Sequence, residues 1–185
     1  GSLMKNGRPL GILLVAALWA GAAHAELPSP VLQHVFPAGG QAGTTVRVTV
    51  EGGSLEELAT LRFSDSRVVC QPEGGKEFTL SLQADLAPGV HDVRAVGRYG
   101  VSGPRAFLVG HRAERFELEP NDALDRATSL PADAPLASQF VNGRFEKPGD
   151  VDCYRFAARA GQLIVLDLWA ERIDSPVHGV IEVYD

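Results

Sequence analysis

Period-two alternation of apolar and polar side chains, broken by glycine and proline turns, is the feature that most constrains the fold of this 185-residue chain. Residues 45–51 alternate valine with threonine, arginine and glutamate, and residues 78–83 alternate phenylalanine and leucine with polar neighbours. This pattern is typical of strands buried on one face. Shorter strands are expected at residues 31–36, 61–63, 67–70, 91–96 and 106–109. Short strands at this spacing predict an antiparallel β-sandwich.

The acidic stretch Glu117-Leu118-Glu119-Pro120-Asn121-Asp122 is the main candidate for a functional site. The residue before a proline is pushed out of the α region, so residues 116–120 are expected to be extended, with successive side chains on opposite faces. One face then carries oxygen atoms close together, from Glu117, Glu119 and Asn121, with Asp122 joining them where the chain turns.

A second acidic cluster, Asp150 and Asp152, stands at the start of a strand predicted for residues 152–156. If the two clusters meet, their carboxylates repel one another unless a cation intervenes. Ca²⁺ takes about six to eight oxygen ligands at flexible geometry, whereas zinc favours cysteine and histidine ligands, and no cluster of those is present. The pattern therefore favours Ca²⁺.

An alternative interpretation needs no metal. Residues 117–122 would then form a turn between domains, with an Asn or Asp cap for a helical stretch at residues 122–129. Arginine side chains would neutralise the carboxylates, the candidates being Arg112, Arg115, Arg126 and Arg144.

Residues 1–25 are predicted to be a secretory signal peptide with a leading scar. Lys5 and Arg8 form a basic region, residues 10–20 are apolar, and Ala23-His24-Ala25 has the small-x-small cleavage pattern. The apolar stretch is shorter than the roughly 20 residues of a spanning helix, so a retained membrane anchor is the less favoured alternative. We expect a secreted protein, extracellular or at the cell surface, without membrane attachment after signal removal.

Removing that peptide leaves 15 basic and 23 acidic side chains, a formal charge of −8. A chain this acidic, without a basic stripe, is not expected to bind nucleic acid. Cys70 and Cys153 are the only two cysteines, one in each predicted domain. Export permits a disulfide, but pairing requires close approach of the two residues, and we favour two buried free thiols.

Two segments near the start of the chain resemble the opening of an immunoglobulin-like IPT/TIG domain: residues 30–40 (PVLQHVFPAGG) and 43–52 (GTTVRVTVEG). Residues 87–94 (APGVHDVR) and 107–109 (FLV) resemble its last two strands. The resemblance implies an Ig-like sandwich over residues 26–109. Such sandwiches serve as spacers and as binding modules alike.

After a short polar linker at residues 110–115, residues 116–185 resemble the bacterial pre-peptidase C-terminal (PPC) domain, a small β-sandwich of secreted hydrolases and other exported proteins. The matching residues are ELEPND at 117–122, Gly143, GDVDCYRF at 149–156, AGQ at 160–162, and expected strands at 163–170 and 180–185. The family pattern continues past Asp185, so the resemblance implies the N-terminal part of an incomplete, jelly-roll-like sandwich. The predicted fold class is all-β, with two consecutive antiparallel β-sandwiches.

Relatives of this family include the collagen-binding domains of bacterial collagenases, where an equivalent acidic linker helps to hold Ca²⁺. Carried over by motif, the resemblance implies a structural Ca²⁺ site with the ligands Glu117, Glu119, Asn121, Asp122, Asp150 and Asp152. Two positions depart from the pattern: Cys153 stands where the family usually has an aromatic residue, and His178 where it often has aspartate.

No catalytic constellation stands out in the sequence. The histidines are dispersed without an HExxH motif, and neither a Gly-x-Ser-x-Gly elbow nor a phosphate-binding loop occurs. Cys153 with His178 lacks a third group to form a nucleophile site.

We therefore expect a non-catalytic tandem that acts as a spacer or adhesion module with a Ca²⁺-stabilised junction. One alternative is an accessory targeting region of a secreted hydrolase whose catalytic domain lies outside this chain. Another is a module that binds collagen or glycan, with Trp169 and Tyr184 as candidate binding residues. The expected partners are extracellular proteins or polysaccharides.

Overall fold

A computed structural model describes residues 28–131 and 139–185 of the chain. The predicted signal peptide lies outside the described residues. The fold is all-β, as predicted, and the first part of the chain forms these strands: β1 Val31–Phe36, β2 Gly39–Gln41, β3 Thr45–Gly53, β4 Thr60–Phe63, β5 Val68–Gly74, β6 Glu77–Leu82, β7 Gly89–Gly97, β8 Gly100–Val101 and β9 Arg105–Gly110.

These strands form two sheets that face each other. One sheet has the order β1-β3-β6-β5 and is antiparallel throughout. The other has the order β2-β9-β7-β4, with β8 beside β7, and only its β2–β9 pair is parallel. In chain order this is the strand arrangement of an immunoglobulin-like sandwich, in which the first strand is divided between the sheets.

The core lies between the two sheets and follows the predicted alternation. Val48 on β3 lies opposite Phe78 on β6, and both side chains are fully buried. From the other sheet, Phe107 on β9 is also fully buried and meets Phe63 edge to face, with ring centroids 5.4 Å apart. Each such apolar side chain contributes about 1.5–3 kcal/mol on burial. The apolar positions of the pattern therefore hold the sandwich together.

The division of the first strand follows from Pro37 and the glycines after it. A proline has no N–H for a ladder, and the pairing of β1 with β3 ends at Phe36. Gly39 then lies so close to β9 that a Cβ there would be 2.5 Å from the backbone oxygen of Leu108. A glycine is therefore required where β2 crosses to the second sheet.

The rest of the chain carries little regular structure among the described residues. Its strands form two parallel pairs, β10 with β12 and β11 with β13. The bounds are β10 Glu114–Phe116, β11 Thr128–Ser129, β12 Phe140–Asn142 and β13 Tyr154–Arg155, with 3-10 turns at Leu124–Arg126 and Glu171–Ile173. β10 begins inside the segment assigned to the linker.

Several predicted elements of this part are wrong or shorter than expected. Residues 163–170 and 180–185 are not strands, and Leu163 is 89% exposed and Val180 85% exposed. A strand needs a ladder partner, and neither segment has one among the described residues. The strand predicted for residues 152–156 is reduced to Tyr154–Arg155, and the helical stretch at 122–129 to the turn Leu124–Arg126.

Cys70 and Cys153 are free thiols in the structure, as we favoured, but both are partly rather than fully buried. Cys70 packs against the sandwich core. Among the described residues, no helix is long and apolar enough to cross a membrane.

Candidate metal centre

Hydrogen bonds around Thr128 bring the two acidic stretches together. The N–H of Leu118 donates to Thr128 Oγ1 at 3.0 Å, and that hydroxyl donates to the Leu118 carbonyl at 3.3 Å. The Thr128 N–H donates to the carbonyl of Cys153 at 2.8 Å, and the Cys153 N–H donates to that of Asn121 at 3.0 Å. Asp152 is consequently placed beside the first acidic stretch, which the sequence had left open.

Three carboxylates meet at this point. Glu117, Glu119 and Asp152 each offer one oxygen atom, and these atoms all lie within 4.8 Å of one another. Glu117 and Glu119 lie on the same side of the chain here, as the period-two alternation predicts. The result is a group of hard oxygen donors, which is the kind of ligand that Ca²⁺ takes.

Asp152 is the least compensated member of the group. Its Oδ1 atom is buried and has no hydrogen-bond partner among the described residues. Burial, followed by the charges of Glu117, Asp150, Glu119 and Asp122, raises the pKa of Asp152 to about 7. Asp152 as a whole is half-buried, but a buried carboxylate oxygen without a partner and beside other negative charges is stabilised by a proton or a cation. These donors therefore fit a cation.

Asn121 is fully buried against Glu119. Its backbone N–H donates to Glu119 Oε2 at 2.9 Å. With the amide nitrogen turned toward Glu119, the side chain donates to both carboxylate oxygens at 3.0 and 3.2 Å. In the opposite orientation the nitrogen donates to Thr128 Oγ1 at 3.4 Å, and the amide oxygen faces the Glu119 carboxylate. Without a metal the first orientation is favoured, because the amide nitrogen then donates to Glu119 and two oxygen acceptors do not face each other. The second orientation gives a bound cation a fourth oxygen donor.

The other two predicted ligands, Asp122 and Asp150, are held by a lysine. Lys147 Nζ lies 3.0 Å from Asp122 Oδ1 and 3.4 Å from Asp150 Oδ1. The Glu146 N–H also donates to Asp150 at 2.7 Å, and this bond, followed by Lys147, holds the pKa of Asp150 below its usual value. Among the arginines proposed as neutralisers, Arg126 lies 3.9 Å from Asp122. The sequence analysis missed Lys147, although it stands three residues before Asp150.

Tyr154 is a second residue that the sequence analysis missed at this site. Its hydroxyl donates to Glu117 Oε2 at 2.7 Å, and burial, together with this bond, raises the pKa of the phenol. Gly143 leaves room for the contact, because a Cβ there would be 2.5 Å from Glu117 Oε2 and 2.6 Å from the Tyr154 hydroxyl. The hydrogen bond from Tyr154 thus holds the Glu117 carboxylate in position.

Arg144 connects the acidic cluster to the sandwich. Its backbone N–H donates to Glu117 Oε1, while its guanidinium lies 3.1 Å from Glu51 on β3 and 4.7 Å from the ring centroid of Phe36. Phe36 in turn meets Phe116 edge to face, with centroids 6.2 Å apart. Arg144 therefore connects Glu117 of the cluster to contacts that join the two parts of the chain.

A second contact between the two parts lies at the 3-10 turn Glu171–Ile173. Asp174, which follows the turn in the left-handed conformation, accepts a hydrogen bond at 2.8 Å from the N–H of Ala106 on β9. β9 pairs with β2 only from Leu108 onward, so this N–H lies on the part of β9 that β2 does not cover. The carboxylate caps that edge of the sheet.

The two aromatic candidates for ligand binding lie elsewhere. Trp169 is 37% and Tyr184 65% exposed, and neither lies in a strand. The Trp169 indole N–H donates to Asp167 at 2.8 Å, and the Arg172 guanidinium lies over its ring at 5.3 Å.

No protein-family model matches this chain, and no curated protein does. Among solved structures it is similar to a gamma-CGTase from alkalophilic Bacillus clarkii, at 20% identity and a TM-score of 0.35, over 54% of this chain and 15% of that one. It is also similar to SGBP-B of the Bacteroides ovatus mixed-linkage glucan utilization locus, solved with a mixed-linkage heptasaccharide, at 11% identity and a TM-score of 0.31, over 44% of this chain and 22% of that one. The chain thus spans less than a quarter of either protein.

Proposed function

We propose that this chain is an exported, non-catalytic β-sandwich module with a Ca²⁺ site at the junction of its two parts. The observation that carries the proposal is the buried, unpartnered Oδ1 of Asp152, which belongs to a group of carboxylate oxygens within 4.8 Å of one another. Glu117, Glu119 and Asp152 would hold the ion, with the amide oxygen of Asn121 as a further donor. The ion supplies the positive charge that these carboxylates lack.

The role of the ion would be structural. In the described part of the chain every buried apolar side chain lies between Leu32 and Val109, so residues 110–131 and 139–185 contribute none to an apolar core of their own. A segment without an apolar core depends on hydrogen bonds, ion pairs and metal contacts for its order. By fixing Glu117, Ca²⁺ would also fix the Arg144 contacts to the sandwich and hence the orientation of the two parts. We place the module outside the cell, with an extracellular protein or polysaccharide as its partner.

Thermal unfolding of the chain with Ca²⁺ and with chelator tests the site. A ligand that binds only the folded state adds about 2.7 kcal/mol of stability at a hundredfold excess over Kd, so Ca²⁺ should raise the midpoint. The rise should be lost in Asp152→Asn and kept in Asp92→Asn, which removes the same charge from a strand of the sandwich. Equal midpoints with and without Ca²⁺ in the wild-type chain would reject the site.

A further inference from the structure

Lys147 lies at the edge of the acidic cluster. Its ammonium group bridges Asp122 and Asp150, at 3.0 and 3.4 Å. The Asp150 side chain is only 4% exposed, whereas that of Lys147 is 64% exposed. A buried carboxylate is thus paired with a flexible side chain that extends from solvent.

The two aspartates held by Lys147 belong electrostatically to the same cluster as Asp152. The charges of both act on the Asp152 carboxyl, together with those of Glu117 and Glu119. The positive charge of Lys147, beside Asp122 and Asp150, therefore offsets part of the carboxylate repulsion that a bound cation would also offset. The ammonium of Lys147 and a bound divalent cation are both attracted by the negative charge of these carboxylates and repel each other.

We propose that Lys147 is a built-in counter-ion that stabilises the cluster when no metal is bound and weakens the binding of a divalent cation. The inference rests on the proposed Ca²⁺ site and adds the residue that sets its affinity. Asp152 Oδ1 remains buried and without a hydrogen-bond partner among the described residues, so the ammonium of Lys147 does not reach it with a hydrogen bond. The lysine satisfies one side of the cluster and leaves that oxygen without a partner.

The turn that carries Lys147 does not depend on its ammonium group. The Asp150 N–H donates to the Lys147 carbonyl at 3.2 Å, and the Glu146 N–H donates to Asp150 Oδ2 at 2.7 Å. Gly149, at φ 79°, allows the turn. Replacing the lysine should therefore remove the charge and keep the backbone.

The test is isothermal titration of metal-free protein with Ca²⁺, for the wild-type chain, Lys147→Gln and Lys76→Gln. Lys76 lies in the exposed connection between β5 and β6, so its variant controls for the loss of one charge anywhere on the protein. Lys147→Gln should bind Ca²⁺ about 3- to 10-fold more tightly, because a nearby positive charge is gone. Lys76→Gln should bind like the wild type.

Thermal unfolding in chelator completes the test. Lys147→Gln should have a lower midpoint than Lys76→Gln, because Asp122 and Asp150 then lose the ammonium group that bridges them. Equal or weaker Ca²⁺ binding by Lys147→Gln, beside a wild type that binds, would overturn the inference and leave the proposed function standing. An unchanged metal-free midpoint would also overturn the counter-ion role. Absence of binding in all three proteins would overturn the proposed function itself.

Discussion

At Asp152, burial and the neighbouring negative charges both raise the pKa of the carboxyl group. Its Oδ1 atom has no hydrogen-bond partner among the described residues, and the negative charges around it oppose ionisation. Asp150, two residues away, has the opposite setting, because a backbone N–H and Lys147 stabilise its charge. The fold thus favours the protonated form of Asp152 and the ionised form of Asp150.

This difference predicts a pH dependence of stability in the absence of metal. The pKa of Asp152 is raised from 3.8 to about 7, so the folded chain holds this proton more tightly than the unfolded chain. The stability that the proton provides is complete below about pH 3.8 and is lost as the pH rises toward 7. In chelator, the free energy of unfolding of the wild type should fall over this window relative to that of Asp152→Asn.

Urea unfolding at a series of pH values measures this difference. The comparison with Asp152→Asn is needed because burial also raises the pKa of Glu114, which gives a slope of the same sign in both proteins. Saturating Ca²⁺ should remove the difference in slope, since a bound cation keeps Asp152 ionised. Parallel curves for the two metal-free proteins would contradict the prediction.

At the scale of elements, two short ladders and one glycine hold the cluster in shape. β10 continues beyond Phe116 through the bond from the Glu117 N–H to the Asn142 carbonyl, at 3.1 Å. The next residue, Gly143, lies against both the Glu117 carboxylate and the Tyr154 hydroxyl. A side chain at this position would have to displace one of these groups.

Gly143→Ala should therefore lower both Ca²⁺ affinity and stability. The added Cβ would lie 2.5 Å from a carboxylate oxygen, and overpacking of this kind costs about 1–3 kcal/mol. Gly103→Ala is the matched control, because a Cβ there meets nothing within 4 Å. Calorimetry and thermal unfolding of both variants check the prediction. A Gly143→Ala protein with wild-type affinity and midpoint would show that Glu117 and Tyr154 need not keep their contact.

The sequence predicts elements well where side-chain period and packing agree. On β3 and β6 the alternation is complete, and the predicted apolar residues Val48, Val50, Phe78, Leu80 and Leu82 are buried. Residues 163–170 are apolar at every position except Asp167 but lack a ladder partner in the described part of the chain, so a run of apolar residues alone does not make a strand there. Strand formation depends on pairing, which a local pattern does not contain.

The same limit applies to the acidic site. Alternation and the proline predict that Glu117 and Glu119 share one face, and their carboxylates do lie close together. Whether Asp152 would join them was left open by the sequence. The pattern did not predict that Asp122 and Asp150 would be bridged by Lys147, or that Tyr154 would hold Glu117. Those contacts arise from the way the turn at residues 147–150 and β13 fold against the first stretch, which is tertiary structure.

For the whole molecule, the distribution of the core is the main consequence of the fold. The buried apolar side chains of the described residues all belong to the sandwich, while Asn121 and Thr128 are the buried residues of the later part. The later part is attached to the sandwich by Arg144, by the contact of Phe36 with Phe116, and by the bond from Ala106 to Asp174. Its order is therefore coupled to these contacts and to the charge balance of the cluster.

Arg144→Ala should separate ion binding from the stabilisation of the junction. The substitution removes the guanidinium from Glu51 and Phe36, but the backbone N–H that donates to Glu117 remains. Ca²⁺ affinity should then change little, because the ligands and their backbone partner are retained.

Hydrogen exchange should show Ca²⁺-dependent protection of residues 117–121 in both proteins, and of β1 and β3 only in the wild type. Arg98→Ala, which breaks an exposed pair with Glu57 on the same sandwich, should behave like the wild type. If β1 and β3 gain the same protection from Ca²⁺ without the Arg144 guanidinium, the junction is stabilised through another contact, and the bond to Asp174 becomes the next one to remove.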